Sequence, residues 1–349
     1  MARFSKKSSL ISLVLVAAVM LSLLAGCGSS DNAGAGSTPP KAEEQGGKSA
    51  ENTPAQETKQ YYFVFIPKVV HPWYEAVKTG ATAAIEEYKK QGIEIKFEWD
   101  APPTADVVVH TQKIESSVAK KPSVIAVSVL DEASDAPIID QAVDAGAKVV
   151  TFDCDAPKSK RTMFVGHNKN EQDGAELADL LAKNIGEKGE VAILSGSLSA
   201  PNHKERVAGF KKAMEKYPEI KIVTEQADND DLEKAIALTE NILKANPNVK
   251  GIFGCNASNP IGAARAVKDA GKTGKVAIVG MDDMPETMQF IEEGVILGTK
   301  VQRVFDIGYN AIKYMVDIAD GKSVPAEYQT GSYIVTKDNM DEYKKNTAK

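Results

Sequence analysis

Cysteine, histidine and aromatic residues are all scarce in this chain: three cysteines, four histidines and 6% aromatics, two of them tryptophan, in 349 residues. So few thiols exclude a disulfide-stapled scaffold. Cys154 and Cys255 sit at the ends of predicted strands in different halves, and a bridge needs their Cα atoms within ~7 Å, so free thiols are expected. The histidines in VVHTQK and VGHNKN lack a second ligand at a useful spacing, which leaves zinc unsupported. DNDDLE (228–233) looks like a calcium loop, but Glu233 occupies the place of the glycine on which such a loop turns. No metal and no cofactor are expected. Basic residues are also short, 42 against 48 acidic, for a net charge of −6. Without a basic cluster the surface does not suit nucleic acid. Missing too are the phosphate loop G-x-x-x-x-G-K-[ST], the G-x-S-x-G elbow and H-E-x-x-H. These absences put binding ahead of catalysis.

One long uncharged run is present, over 10–26, behind Arg3, Lys6 and Lys7 and directly before Cys27. A basic head, an apolar core and small residues at the end describe an export signal over 1–26. Its ending, LAGC, resembles the bacterial lipobox, in which the cysteine is acylated; an uncleaved anchor helix is the alternative, since ~17–25 apolar residues span a bilayer. Lipidation of Cys27 is expected, with the protein exported and held at the extracellular face of the membrane, or in the periplasm where there are two membranes. Loss of the leader removes three positive charges and leaves −9. Residues 27–60 are rich in Gly, Ser, Ala and Pro and nearly free of large apolar side chains, the composition of a flexible tether.

From 61 onward, short β-rich runs alternate with helical patterns. The strand-like runs are 61–66, 93–99, 123–129, 147–153, 162–166, 190–195, 220–225, 249–254, 275–280 and 295–301. Between them apolar residues recur at helical spacing, as in Ala76, Thr79, Gly80, Ala83 and Ala84. Pro72 is expected to open the first helix, and Gly146, Gly271 and Gly294 to cap the C-termini of later ones. Strand–helix alternation predicts an α/β fold with parallel sheets covered on both faces. The pattern divides into two halves, 61–166 and 170–295, each repeating the βα unit four times. Ligands of such sheets sit beyond the carboxyl ends of the strands.

Those strand ends carry a particular mixture. Lys68, His71, Trp73 and Tyr74 follow the first run, and Asp153 ends the fourth. In the second half come Asn202, Arg206, Asn229, Asn256, Asp282 and Gln302. Carboxylates, amides, a guanidinium and aromatic rings suit a sugar, whose hydroxyls both donate and accept and whose C–H face is apolar.

Six stretches in combination, PKVVHPWY, VTFDCDAP, GSLSAPNHKERVAGF, GIFGCNASNPIGAARA, VAIVGMDDMPE and GTKVQR, resemble the sugar-binding receptors of bacterial ABC importers, the type I periplasmic binding proteins. The likeness covers 61–340. It implies two doubly wound lobes joined by a three-crossing hinge, with a ligand cleft between them. The N-terminal lobe would comprise 61–166 plus 303–333 and the C-terminal lobe 167–302 plus 334–349, with crossings near 165–169, 301–304 and 331–335. It further implies that Trp73 and Tyr74 border the sugar ring and that His71 hydrogen-bonds a hydroxyl. Asp153 would accept from adjacent hydroxyls, Arg206 would donate to sugar oxygens, and Asn256, Asp282 and Gln302 would complete the site. Cys154 stands where ribose receptors carry arginine and Asn229 where they carry phenylalanine, which argues against ribose. His167, Asn168 and Asn170 lie in a loop one residue longer than expected and could each contribute to the site, with Asn170 reading rather as a helix cap.

Structural readings compete with these. Trp73 and Tyr74 could staple a helix to the sheet, Asp153 and Asp282 could cap helices, and Arg206 could pair with Glu205. The reading that the residues and the resemblance favour is a monomeric, lipid-anchored receptor that delivers a glucose- or xylose-like monosaccharide to an ABC permease. The alternatives are an autoinducer-2- or rhamnose-type receptor, because FIPK and FEWDAPP look like that branch, and a partner that presents its ligand to a membrane sensor.

Overall fold

The computed structural model describes residues 59–347. The leader, Cys27 and nearly all of the tether lie outside the described residues.

The N-terminal lobe begins with β1 (Gln60–Ile66), α1 (Tyr74–Lys90), β2 (Glu94–Trp99), α2 (Val107–Ala119), β3 (Val124–Val127) and α3 (Glu132–Asp144). It continues with β4 (Val149–Phe152) and β5 (Met163–Gly166). The chain then passes into the second lobe as α4 (Asn170–Asn184), β6 (Lys188–Ser195), α5 (Pro201–Met214), β7 (Glu219–Ala227) and α6 (Leu232–Ala245). There follow β8 (Val249–Gly254), α7 (Ser258–Asp269), β9 (Ala277–Met281), α8 (Pro285–Glu292) and β10 (Gly298–Gln302). Helix α9 (Val304–Ala319) and β11 (Glu327–Gln329) return to the first lobe, and β12 (Ser332–Thr336) and α10 (Met340–Thr347) close the second.

Each lobe is built on six strands, in the orders β11-β5-β4-β3-β1-β2 and β12-β10-β9-β8-β6-β7. All neighbours run parallel except β12, which pairs antiparallel with β10. Strands β3, β4 and β5 are buried throughout and, Thr151 apart, apolar, because helices cover both faces of a parallel sheet. The edge strand β2 is only partly buried, and its sequence mixes charged with apolar residues accordingly. Gly146, Gly271 and Gly294 all take positive φ just past their helices, the left-handed stop expected of them.

Several details depart from the sequence reading. The first half repeats the βα unit three times, not four: β4 and β5 are joined by a loop whose sequence, DCDAPKSKRT, has no apolar helical period. Strands β11 and β12 escape notice because each is short and mostly half-buried or exposed. With β12 starting at Ser332, the third passage between lobes lies between Gln329 and Ser332, ahead of the expected 331–335, and residues 332–333 belong to the second lobe's sheet. Pro72 lies in a turn, and the helix starts two residues later at Tyr74. Along α1 the buried face is Val77, Gly80, Ala81 and Ala84, while Ala76 and Thr79 are exposed. Asn170 is the first helical residue of α4 and makes no cap bond.

Candidate functional site

Strands β4 and β9 end alike. Asp153 and Asp282, the residues directly after them, have φ of 59° and 68°. Aspartate tolerates this left-handed region better than most side chains. The sharp turn there brings both carboxylates to the wall of one cavity between the lobes, of about 390 Å³ including the space open at its mouth. Ligand clefts commonly fall in the range ~300–1,000 Å³.

From the first lobe the cavity is lined by Lys68, Val69, His71, Trp73, Tyr74 and Asp153, and from the second by Asn202, His203, Arg206, Asp230, Asn256, Ala257, Asp282 and Gln302. Every residue of the strand-end mixture read from the sequence lies there except Asn229. That side chain is exposed, because the turn after β7 puts both Asn229 and Asp230 at positive φ and presents Asp230 to the cavity instead. His203 and Asp230 escaped the sequence reading. His203 directly follows Asn202 in the first turn of α5, and Asp230 is one place along from Asn229, an ambiguity that loop sequence alone does not resolve.

Much of the wall is pre-oriented by its own hydrogen bonds. The Tyr74 hydroxyl and Ser128 Oγ each donate to Asp153 Oδ2 at 2.7 Å. Lys68 Nζ lies 3.5 Å from the same oxygen and donates to Asn202 Oδ1 across the cleft at 3.4 Å. Burial pushes the Lys68 ammonium down, but the Asp153 carboxylate and other nearby negative groups outweigh it, so the pKa is raised and the charge kept. Arg206 is buried, with Nε donating to Asn170 Oδ1 and Nη1 to the Cys255 carbonyl, each at 3.1 Å. It is no surface partner of Glu205, which instead accepts from Asn170. Gln302 Nε2 donates to Asp282 Oδ1 at 2.8 Å. The Trp73 indole faces that carboxyl too, although its Nε1 meets no acceptor in hydrogen-bond geometry. Burial raises the Asp282 pKa to about 6.

His71 differs from its expected part. Its Nδ1 accepts from the Trp73 backbone N–H at 3.1 Å and its Nε2 meets Ser258 Oγ of the other lobe at 3.0 Å. With both nitrogens engaged, His71 ties lobe to lobe at the cavity's edge, and burial lowers its pKa, favouring the neutral ring. Ser199 Oγ, donating to the Leu130 carbonyl at 3.2 Å, is a further tie.

Cys154 faces a neighbouring acidic cavity that shares Asp153 and Asn202 with the first. Cys154 and Cys255 are free, and burial pushes both thiols up to about 12, which makes them unreactive. His167 and Asn168 turn away from the central cavity: His167 Nε2 meets Asp173 at 2.7 Å and Asn168 donates to Glu327 at 2.9 Å.

The profile of the periplasmic binding protein domain matches residues 62–323. This chain belongs to that family. Among its relatives, the D-allose-binding periplasmic protein of Escherichia coli (strain K12) is 31% identical over 275 residues, which cover 76% of this chain and 87% of that protein. An ABC transporter solute-binding protein from Burkholderia graminis, crystallised in complex with D-arabinose, superposes with a TM-score of 0.77 at 36% identity, covering 82% of this chain and 99% of the other. GanP, a glucose-galactose binding protein from Geobacillus stearothermophilus, does so with a TM-score of 0.74 at 32% identity, covering 80% and 99%. These periplasmic binding proteins have the two-lobed type I architecture found here, and they bind solutes; they are not enzymes.

Proposed function

We propose that this periplasmic binding protein receives one neutral monosaccharide, glucose- or xylose-like, in the inter-lobe cavity and delivers it to an ABC permease while lipid on Cys27 holds it at the membrane. The observation that carries the reading is the pair of strand-end carboxylates, Asp153 and Asp282, one from each lobe, aimed into a cavity that also holds Trp73. Carboxylates accept from sugar hydroxyls, Arg206 and the amides of Asn202 and Gln302 donate to their oxygens, Asn256 spends its amide hydrogens on Asp228 and Asp230, and the Trp73 ring suits the C–H face. Tyr74 and Lys68 hold Asp153 in place, and His71 fastens the lobes. An anionic ligand would meet Asp153, Asp230 and Asp282 against only Lys68 and Arg206, so an uncharged polyol fits better. Contacts from both lobes make closure the source of affinity.

A thermal-shift panel tests the ligand. D-Glucose, D-xylose, D-allose, D-arabinose, D-ribose, L-rhamnose and autoinducer-2 are each added to the full chain. A sugar at 100-fold its Kd adds ~2.7 kcal/mol of stability. A shift with one of the five D-aldoses is expected, and a flat response to every sugar overturns the reading. A response to autoinducer-2 or L-rhamnose alone would replace it with the alternative branch. For the anchor, Cys27→Ser is expected to abolish labelling by a fatty-acid probe, and unchanged labelling would remove the lipid from the proposal.

A further inference from the structure

The second lobe's wall contains a polar pair that the frame of strand-end carboxylates does not require. Asp230 Oδ1 is held by Asn256 Nδ2 at 2.8 Å, whereas Oδ2 is buried and meets no donor among the described residues. Beside it, the buried His203 ring lies against Gly196, where a Cβ would come within 2.4 Å of His203 Nδ1, and that nitrogen has no partner among the described residues. The opposite nitrogen, Nε2, is 3.8 Å from Asp230 Oδ1, beyond hydrogen-bond reach. Burial lowers the His203 pKa to about 4, so the ring is neutral and carries one N–H. The adjacent carboxylate favours that proton on Nε2. Burial pulls Asp230 toward the neutral form, but Lys68, the hydrogen bond from Asn256 and the two histidines, once protonated at the acidic pH where the carboxyl would titrate, hold its pKa down, so it remains ionised at neutral pH.

We propose that Asp230 and His203 together read a single hydroxyl of the bound sugar, which donates to Asp230 Oδ2 and accepts from His203 Nε2–H, and so make that hydroxyl a determinant of specificity. The inference rests on the sugar-receptor reading. A carboxylate only accepts, a neutral imidazole with its proton on Nε2 donates there, and a hydroxyl is the small group that satisfies both at once. A deoxy analogue would leave a buried carboxylate oxygen and a buried N–H unpaired. Discrimination of that kind exceeds what loss of an apolar contact gives. Gly196 belongs to the device, since any side chain there would displace both His203 and Asn256.

The test is a coupling measurement by titration calorimetry on the full chain, with D-glucose, D-xylose, D-allose and D-arabinose and the monodeoxy analogues of each. For the sugar that binds, one monodeoxy analogue is expected to bind the wild type at least about tenfold more weakly than its parent. In Asp230→Asn the amide oxygen stays with Asn256 and an NH₂ replaces Oδ2, so the parent loses affinity and the gap to that analogue shrinks to about threefold or less. Asparagine tolerates the left-handed φ of 62° at this position, which favours folding of the variant. Should it nevertheless fail to fold, the same collapse is expected in His203→Gln. An equal loss for the parent and all analogues, or unchanged parent affinity, overturns the pair as a reader of one hydroxyl. Failure of every sugar to bind the wild type overturns the receptor reading itself and the inference with it.

Discussion

At the residue scale, the corner formed by His71, Trp73 and Tyr74 is both packing and site. Trp73 is 8% exposed and meets Tyr74 edge to face at 5.0 Å, inside the first lobe's apolar cluster, and it also lines the cavity. Trp73→Ala is therefore expected to weaken sugar binding at least about tenfold and also to lower the Tm of the ligand-free protein, because truncating a buried aromatic costs ~3–5 kcal/mol. Calorimetry and a melting curve on the same variant check both, and intact affinity with a lowered Tm would make the corner purely structural. Asp282 permits a prediction about pH. Its folded pKa of about 6 exceeds the ordinary 3.8 of the unfolded chain, so between those values the native state holds the extra proton. The Asp282 contribution thus favours folding at the acidic end of this window and is lost as pH rises toward 6. His203 and His71, whose pKa values burial lowers, act oppositely in the same range, so the informative quantity is a difference. Asp282→Asn should gain stability relative to wild type as pH rises from 4 to about 7, with a slope of up to ~1.4 kcal/mol per pH unit, in denaturant titrations at stepped pH. A constant difference across that range would mean that the carboxyl is not perturbed.

At the element scale, two helix pairs cross so closely that only glycine fits. A Cβ on Gly80 of α1 would fall 2.0 Å from the Phe305 carbonyl of α9, and one on Gly308 of α9 would fall 1.8 Å from the Val77 carbonyl of α1. The second lobe repeats the device, with Gly174 of α4 against the Arg206 carbonyl and Gly209 of α5 against the Glu171 carbonyl, each at 2.0 Å. The clash is with backbone, which cannot turn aside. Gly80→Ala is expected to cost ~1–3 kcal/mol, seen as a lower denaturation midpoint with unchanged slope; a wild-type midpoint would show that the helices can separate freely. The helical period of α1 was legible in the sequence, yet its buried face was not. Ala76 and Thr79 share the small size of Gly80 and Ala84, and composition does not say which small residues face another helix. The missing helix between β4 and β5 was signalled by Pro157 and its charged neighbours, but the regular alternation elsewhere hid it.

At the scale of the whole molecule, the lobes meet through side chains on either side of the cavity. His71 to Ser258, Lys68 to Asn202 and Ser199 to the Leu130 carbonyl all span the cleft. A tie made only when the lobes close adds to the affinity of any ligand that selects the closed form. Ser258→Ala, which lies outside the cavity's lining, should weaken sugar binding ~2–10-fold through loss of one hydrogen bond, and solution scattering should show sugar-driven compaction retained. Wild-type affinity in this variant would mean that the tie forms equally with and without ligand.

The sequence by itself determined the two α/β halves, their parallel sheets and the strand ends at which polar groups would gather. It did so because hydrophobic period and glycine stops are local, and most parallel strands buried on both faces read as near-continuous apolar runs. Only the tertiary structure decided that Asp230 faces the cavity in place of Asn229, that His203 joins it and that His71 spends both nitrogens on protein partners. Those outcomes depend on the left-handed turn after β7, on the room left by Gly196 and on the distance between lobes. The first turns on backbone dihedrals that loop composition leaves open, and the others on side chains that only the fold brings together.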